Sequence, residues 1–222
     1  MPSDDEIIKK EIDDRLYWDQ RVDSSDVEVE VSDGNVRLWG EVPTYTAKTA
    51  AWRNAVVVPG VVSVVDDLEV TGARGIARPA DQDIKARVEN SLDVNAEVDT
   101  SGMEVSVDHG KVTLEGTVSS YWQKVWAQRL AGVVTGVLDV SNDLVVTPTD
   151  SIEDKIIGDG IAAALRENGV IDENTVDVAV EDGMVNLSGT VPSVTAYMAA
   201  EDIACYTPGV KEVTNEIDIV RP

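Results

Sequence analysis

The side chains able to do chemistry are few and scattered. His109 is the single histidine and Cys205 the single cysteine of the 222 residues. They lie too far apart in the chain to form a metal-ligand pattern. His109 falls inside a hairpin turn, where Asp33 and Asp182 stand in the equivalent places, so a solvent-exposed turn residue is expected. Cys205 aligns with Val56 and Gly132 in a helix. With no base suggested nearby, it reads as a buried or half-buried small residue rather than a nucleophile. Carboxylates are too numerous, 42 Asp and Glu, for any pair to stand out. Asp66-Asp67 could be offered as a metal site, yet the aligned pairs Asn142-Asp143 and Asn215-Glu216 do without two acids. Asp99 to Asp108 lacks the oxygen-ligand intervals of a calcium loop. Gly72-Ala73-Arg74-Gly75 lacks the lysine of a phosphate loop and reads as a linker. No catalytic residue, cofactor or metal is therefore predicted. A metal-dependent enzyme, the alternative, would need a concave pocket with convergent polar groups.

The aromatic residues carry more. Trp18, Trp39, Trp52, Trp122 and Trp126 all lie in the first two thirds of the chain, accompanied by Tyr17, Tyr45 and Tyr121. Trp122 and Trp126 are one helical turn apart and share a face. Ala50 and Ala199 align with Trp126, and Thr46 and Thr195 with Trp122, so the fold does not require tryptophan there. Tyr45, Trp52, Tyr121, Trp122 and Trp126 form the candidate partner-binding surface. Packing within or between domains is the competing reading.

A repeat positions these residues. Gly34–Gly40–Gly60, Gly110–Gly116–Gly136 and Gly183–Gly189–Gly209 share one spacing, with a period of 76 and then 73 residues. Three domains are expected, over 1–73, 79–148 and 150–222. Each opens with apolar residues four apart: Ile8, Ile12, Leu16; Ile84, Val88, Leu92; Ile157, Ile161, Leu165. That spacing predicts a helix with one buried face. Acids cluster at its start (Asp4–Glu6, Asp81–Asp83, Glu153-Asp154), where they suit the helix dipole.

Two strands around a tight turn follow, with alternating valines such as Val27, Val29 and Val31. Gly34, Gly110 and Gly183 are expected at positive φ in the turn. Gly40, Gly116 and Gly189 mark a bulge or a close backbone approach. A second helix, near 44–57, 120–133 and 193–206, carries the small pairs Ala51/Ala55, Ala127/Ala131 and Ala200/Ala204. It stops at Gly60, Gly136 and Gly209. A last strand carries Asp66, Asn142 or Asn215 in phase with its inward residues, where a hydrogen bond to loop backbone is expected. The fold class is α+β: three tandem two-layer sandwiches, each αββαβ, with a three-stranded mixed sheet and two helices on one face. Short Pro-containing linkers predict domains packed in a row, as a compact or gently arced array.

The net charge of −24 excludes ready binding to nucleic acid, which needs a basic patch; the longest basic cluster is Lys9-Lys10. It also disfavours anionic bilayers and suits a basic partner or a salty medium. No stretch approaches the ~20 apolar residues of a membrane span. The N-terminal Met1-Pro2-Ser3-Asp4-Asp5-Glu6 is acidic where a secretory signal is basic, so a cytoplasmic location is expected.

Three stretches, Val29 to Val70, Val105 to Val146 and Val178 to Ile219, resemble the BON domain. Each has the V-x-V strand, the glycine turn, V-x-L-x-G, the alanine-bearing helix and a Gly-Val pair (Gly60-Val61, Gly136-Val137, Gly209-Val210). Each ends on V-x-N-x-L/I, with Asp66 in place of asparagine in the first. The resemblance implies a non-enzymatic binding or scaffold protein of osmotic or general stress physiology. Its implied partner is a macromolecule or a phospholipid surface. A periplasmic or envelope location is the family-based alternative.

Overall fold

Residues spaced four apart on the first helix of each unit do share a face, and that face is the core. A computed structural model describes residues 4–73, 75–169, 171 and 175–220; Met1–Ser3 and the linker residue Arg74 lie outside them. The first unit comprises α1 (Asp4–Trp18), β1 (Val27–Ser32), β2 (Asn35–Val42), α2 (Tyr45–Val56) and β3 (Ser63–Val70). The second comprises α3 (Asp81–Asp93), β4 (Met103–Asp108), β5 (Lys111–Val118), α4 (Tyr121–Gly132) and β6 (Asp139–Val146). The third comprises α5 (Asp154–Glu167), β7 (Val176–Glu181), β8 (Met184–Val191), α6 (Val194–Cys205) and β9 (Glu212–Ile219).

Each unit is an αββαβ sandwich with its own three-stranded sheet. The hairpin pairs antiparallel and the last strand joins the central one in parallel, in one register throughout: Val29↔Leu38↔Asp66, Val105↔Leu114↔Asn142, Val178↔Leu187↔Asn215. Ile12, Leu38, Ile84, Leu114, Ile161 and Leu187 are fully buried between helices and sheet. So are Ala51, Ala55, Ala127, Ala131, Ala200 and Ala204. Their small side chains let the second helix lie close to the strands.

The hairpin turns are two residues long, and both residues have positive φ: Asp33 and Gly34 at 50° and 76°, His109 and Gly110 at 50° and 81°, Asp182 and Gly183 at 52° and 78°. This is the turn whose twist matches that of the strands. A carboxylate from the first helix holds it. Asp5, Asp81 and Asp154 each accept the N–H groups of both turn residues, at 2.8–3.0 Å. The acids at the helix starts thus dock the hairpin as well as favouring the dipole. Gly40, Gly116 and Gly189 mark the expected close approach. A Cβ there would stand 2.0–2.1 Å from the carbonyl oxygen of Asp26, Gly102 or Thr175, which no side chain allows.

The units do not lie in a row. The first residues of α2, α4 and α6 are Tyr45, Tyr121 and Val194, equivalent positions under the repeat. Tyr45 packs into the second unit's core and lies against Gly132. Tyr121 packs against the third unit's core. Val194, with Met198 and Ile219, completes the first unit's core, which includes Val56. The start of each second helix therefore meets the next unit, and the third returns to the first. The three second helices close a head-to-tail triangle, a heterologous contact that closes after three steps. The row fails because the start of each second helix carries an apolar side chain that packs on a neighbouring unit's core.

Candidate functional site

Asp81, Asp108 and His109 bring one ligand atom each within 4.8 Å of one another. Asp81 is already the acceptor for the turn N–H groups, and Arg78 approaches it to 3.4 Å. His109 Nδ1 lies 2.7 Å from Asp108 Oδ1, and both side chains stand in solvent. The first and third units make the same carboxylate-to-turn contact with no histidine, so this cluster is the hairpin dock with an exposed ring beside it. Cys205 is buried. Burial first, then the carboxylate of Asp202, pushes its thiol up to about 11, although Arg129 draws it the other way. A thiol so placed is a poor nucleophile near neutrality.

The polar position of the last strand bonds to the second helix, not to a loop. Asn142 Nδ2 donates to the carbonyl oxygen of Lys124 at 2.7 Å, and Asn215 Nδ2 to that of Tyr197 at 3.4 Å. Asp66 has no N–H to donate. It accepts from the Leu68 N–H and lies 3.8 Å from Lys48 Nζ. Burial raises its pKa above the ordinary carboxylate value.

The aromatic candidates divide into two sets. Tyr45 and Tyr121 sit in the seams between units. Trp52 and Trp126 both line a cleft between α2 and α4, of about 630 Å³. Trp122 is half-buried on the same helix as Trp126. Tyr17 and Trp18 close α1 as an edge-to-face pair, centroids 5.2 Å apart, and remain 72% and 78% exposed.

Three arginines that sequence reasoning passed over line that cleft: Arg21, Arg53 and Arg129. Arg21 is clamped on Asp19 by hydrogen bonds of 2.9 and 2.7 Å, and this bond holds the Asp19 carboxyl well below the usual carboxylate range. Arg129 lies over the Trp126 ring, 5.7 Å from its centroid. Aligning the second helices would have signalled the pair, since Arg53 and Arg129 are equivalent and the third unit has Asp202 there.

The BON domain profile matches residues 4–72, 80–148 and 153–221. Osmotically-inducible protein Y of Escherichia coli K12 is 34% identical over 145 residues, 62% of this chain and 71% of that protein. Outer membrane lipoprotein DolP of Haemophilus influenzae is 32% identical over 166 residues, 72% of this chain and 83% of that protein. A solved C-terminal domain of CdsD, a structural protein of the type III secretion system of Chlamydia trachomatis, aligns over 99% of this chain and 100% of its own. It does so at 15% identity and a TM-score of 0.26. The relationship to an outer membrane lipoprotein overturns the cytoplasmic location expected from the acidic N-terminus. Among the described residues no helix is long and apolar enough to cross a membrane. The chain belongs to the BON domain family, as three tandem copies of the domain.

Proposed function

We propose that this is a non-catalytic binding protein of the bacterial envelope, acting in osmotic or general stress, that contacts a protein partner through the aromatic side of its first two units. One observation carries the reading. The third unit builds the same sandwich with no tryptophan, so the indoles of α2 and α4 are not required by the fold. Trp122 is the test position, because it belongs to none of the three core clusters. Aromatic side chains of this kind supply much of the energy of protein contacts. The relatives' names, an osmotically inducible protein and an outer membrane lipoprotein, support the setting.

A photo-crosslinking amino acid at position 122, in cells that express the chain natively, is expected to give discrete partner adducts. The same group at 195, the equivalent place in the third unit, is expected to give none. Adducts at both positions alike, or at neither, would end this reading.

A second reading is favoured by the Tyr17–Trp18 pair. Two exposed rings at a helix end are suited to the interfacial zone of a bilayer. Co-sedimentation with zwitterionic and anionic vesicles, lost in a Tyr17→Ala/Trp18→Ala variant, would establish it.

A further inference from the structure

The cleft between α2 and α4 is lined by three arginines, Arg21, Arg53 and Arg129. Arg53 and Arg129 are both exposed at its lining. Among the described residues neither lies within 4.0 Å of a carboxylate. Arg21, on the same lining, is neutralised by Asp19. Asp66, the single acid of the lining, has Lys48 beside it. The uncompensated charge of the cleft is therefore positive.

Trp52, from α2, and Trp126, from α4, both line the cleft, half-buried, and Arg129 lies over the Trp126 ring. Among the described residues the Trp126 indole N–H is buried without an acceptor. The volume of about 630 Å³ lies within the range of small-molecule sites, roughly 300–1,000 Å³. None of this is required by the fold. At the position of Arg53 and Arg129 the third unit has Asp202, and at the position of Trp126 it has Ala199. The seams that involve the third unit consequently lack the pair of arginines.

We infer that the α2–α4 cleft binds a small planar aromatic anion, its ring between Trp52 and Trp126 and its acid group held by Arg53 and Arg129. The inference stands whether or not a protein covers the neighbouring surface. Guanidinium is suited to the acid group, since its planar fork meets a carboxylate or sulfonate with two parallel hydrogen bonds. The flanking indoles select a flat ring by stacking.

Naphthalene-2-carboxylate is the probe, titrated into the full chain by calorimetry, with neutral naphthalene-2-methanol as its isostere. One site per chain is expected, weakened about tenfold or more in Arg53→Gln and again in Arg129→Gln, as loss of a charge-assisted hydrogen bond requires. Arg87→Gln, on α3, is expected to bind like the parent chain. The alcohol is expected to bind at least about tenfold more weakly than the acid. The inference is overturned if the acid shows no binding, if the double Arg53→Gln/Arg129→Gln variant binds it unchanged, or if the alcohol binds equally well. The comparison of acid with alcohol on the parent chain needs no variant to fold.

Discussion

The ring of Tyr45 fills the space that a side chain at Gly132 would occupy. A Cβ built on Gly132 would stand 2.6 Å from both Cδ1 and Cε1 of Tyr45. The large residue starts α2 and the absent one ends α4, so the first two units lock by size. The same position takes Cys205 near Tyr121, and Val56 in the cluster that holds Val194. Small residues meet tyrosines, and a medium residue meets valine.

Gly132→Val is accordingly expected to force this seam apart, at about 1–3 kcal/mol, the usual cost of overpacking. Small-angle scattering should record a larger radius of gyration while circular dichroism stays unchanged. Adding Tyr45→Ala should restore part of the compactness. An unchanged radius in the single variant would mean that the seam does not close the ring.

The carboxylate of Asp81 accepts both turn N–H groups, from His109 and Gly110. Asp81→Ala should cost about 1–3 kcal/mol in chemical denaturation, and Asp81→Asn less, because the amide keeps one acceptor oxygen. Hydrogen exchange at His109 and Gly110 should accelerate in both. Exchange that stays slow there would show that the turn is held by its own geometry.

Asp66 is the exception among three equivalent positions, and its burial makes the exception costly. Its folded pKa lies above the ordinary 3.8, so the folded chain holds the proton more firmly than the unfolded one. The sign follows from linkage. Stability is undiminished below the ordinary value, falls as pH rises through the raised folded value, and stays reduced at neutrality. Asp66→Asn should therefore stabilise at pH 7, on the order of 1 kcal/mol with the regained amide hydrogen bond. The part due to ionisation should vanish in melts at progressively lower pH. A stabilisation constant from pH 7 to pH 3 would contradict the electrostatic part.

Cys205 reports on the seam between the second and third units. With its thiol buried and raised to about 11, it should react slowly with a disulfide reagent at pH 8. Tyr121→Ala should expose it and speed labelling by an order of magnitude or more. Rapid labelling of the parent chain would mean that the seam opens readily.

Most of one unit was legible in the sequence, because short-range patterns determine it. Ile84, Val88 and Leu92 recur every four residues and can share a face only in a helix. Val105 and Val107 alternate and can do so only in a strand. Glycine at 116 declares that a side chain would collide, although not with what. The acids at helix starts were legible only in part. That Asp5, Asp81 and Asp154 reach a turn 28 residues later depends on where the hairpin folds back over the helix.

The closed triangle belongs to the tertiary structure alone. Tyr45 shows no periodicity with Gly132, and nothing in a linear pattern says that an aromatic at the start of one helix will lie on a glycine at the end of another. Arg53 and Arg129 are 76 residues apart, equivalent by repeat but brought to a single cleft only because the units dock head to tail. Local side-chain spacing dictates how a segment folds on itself. How one folded body meets the next depends on complementary shape and charge between surfaces that do not exist until each has formed.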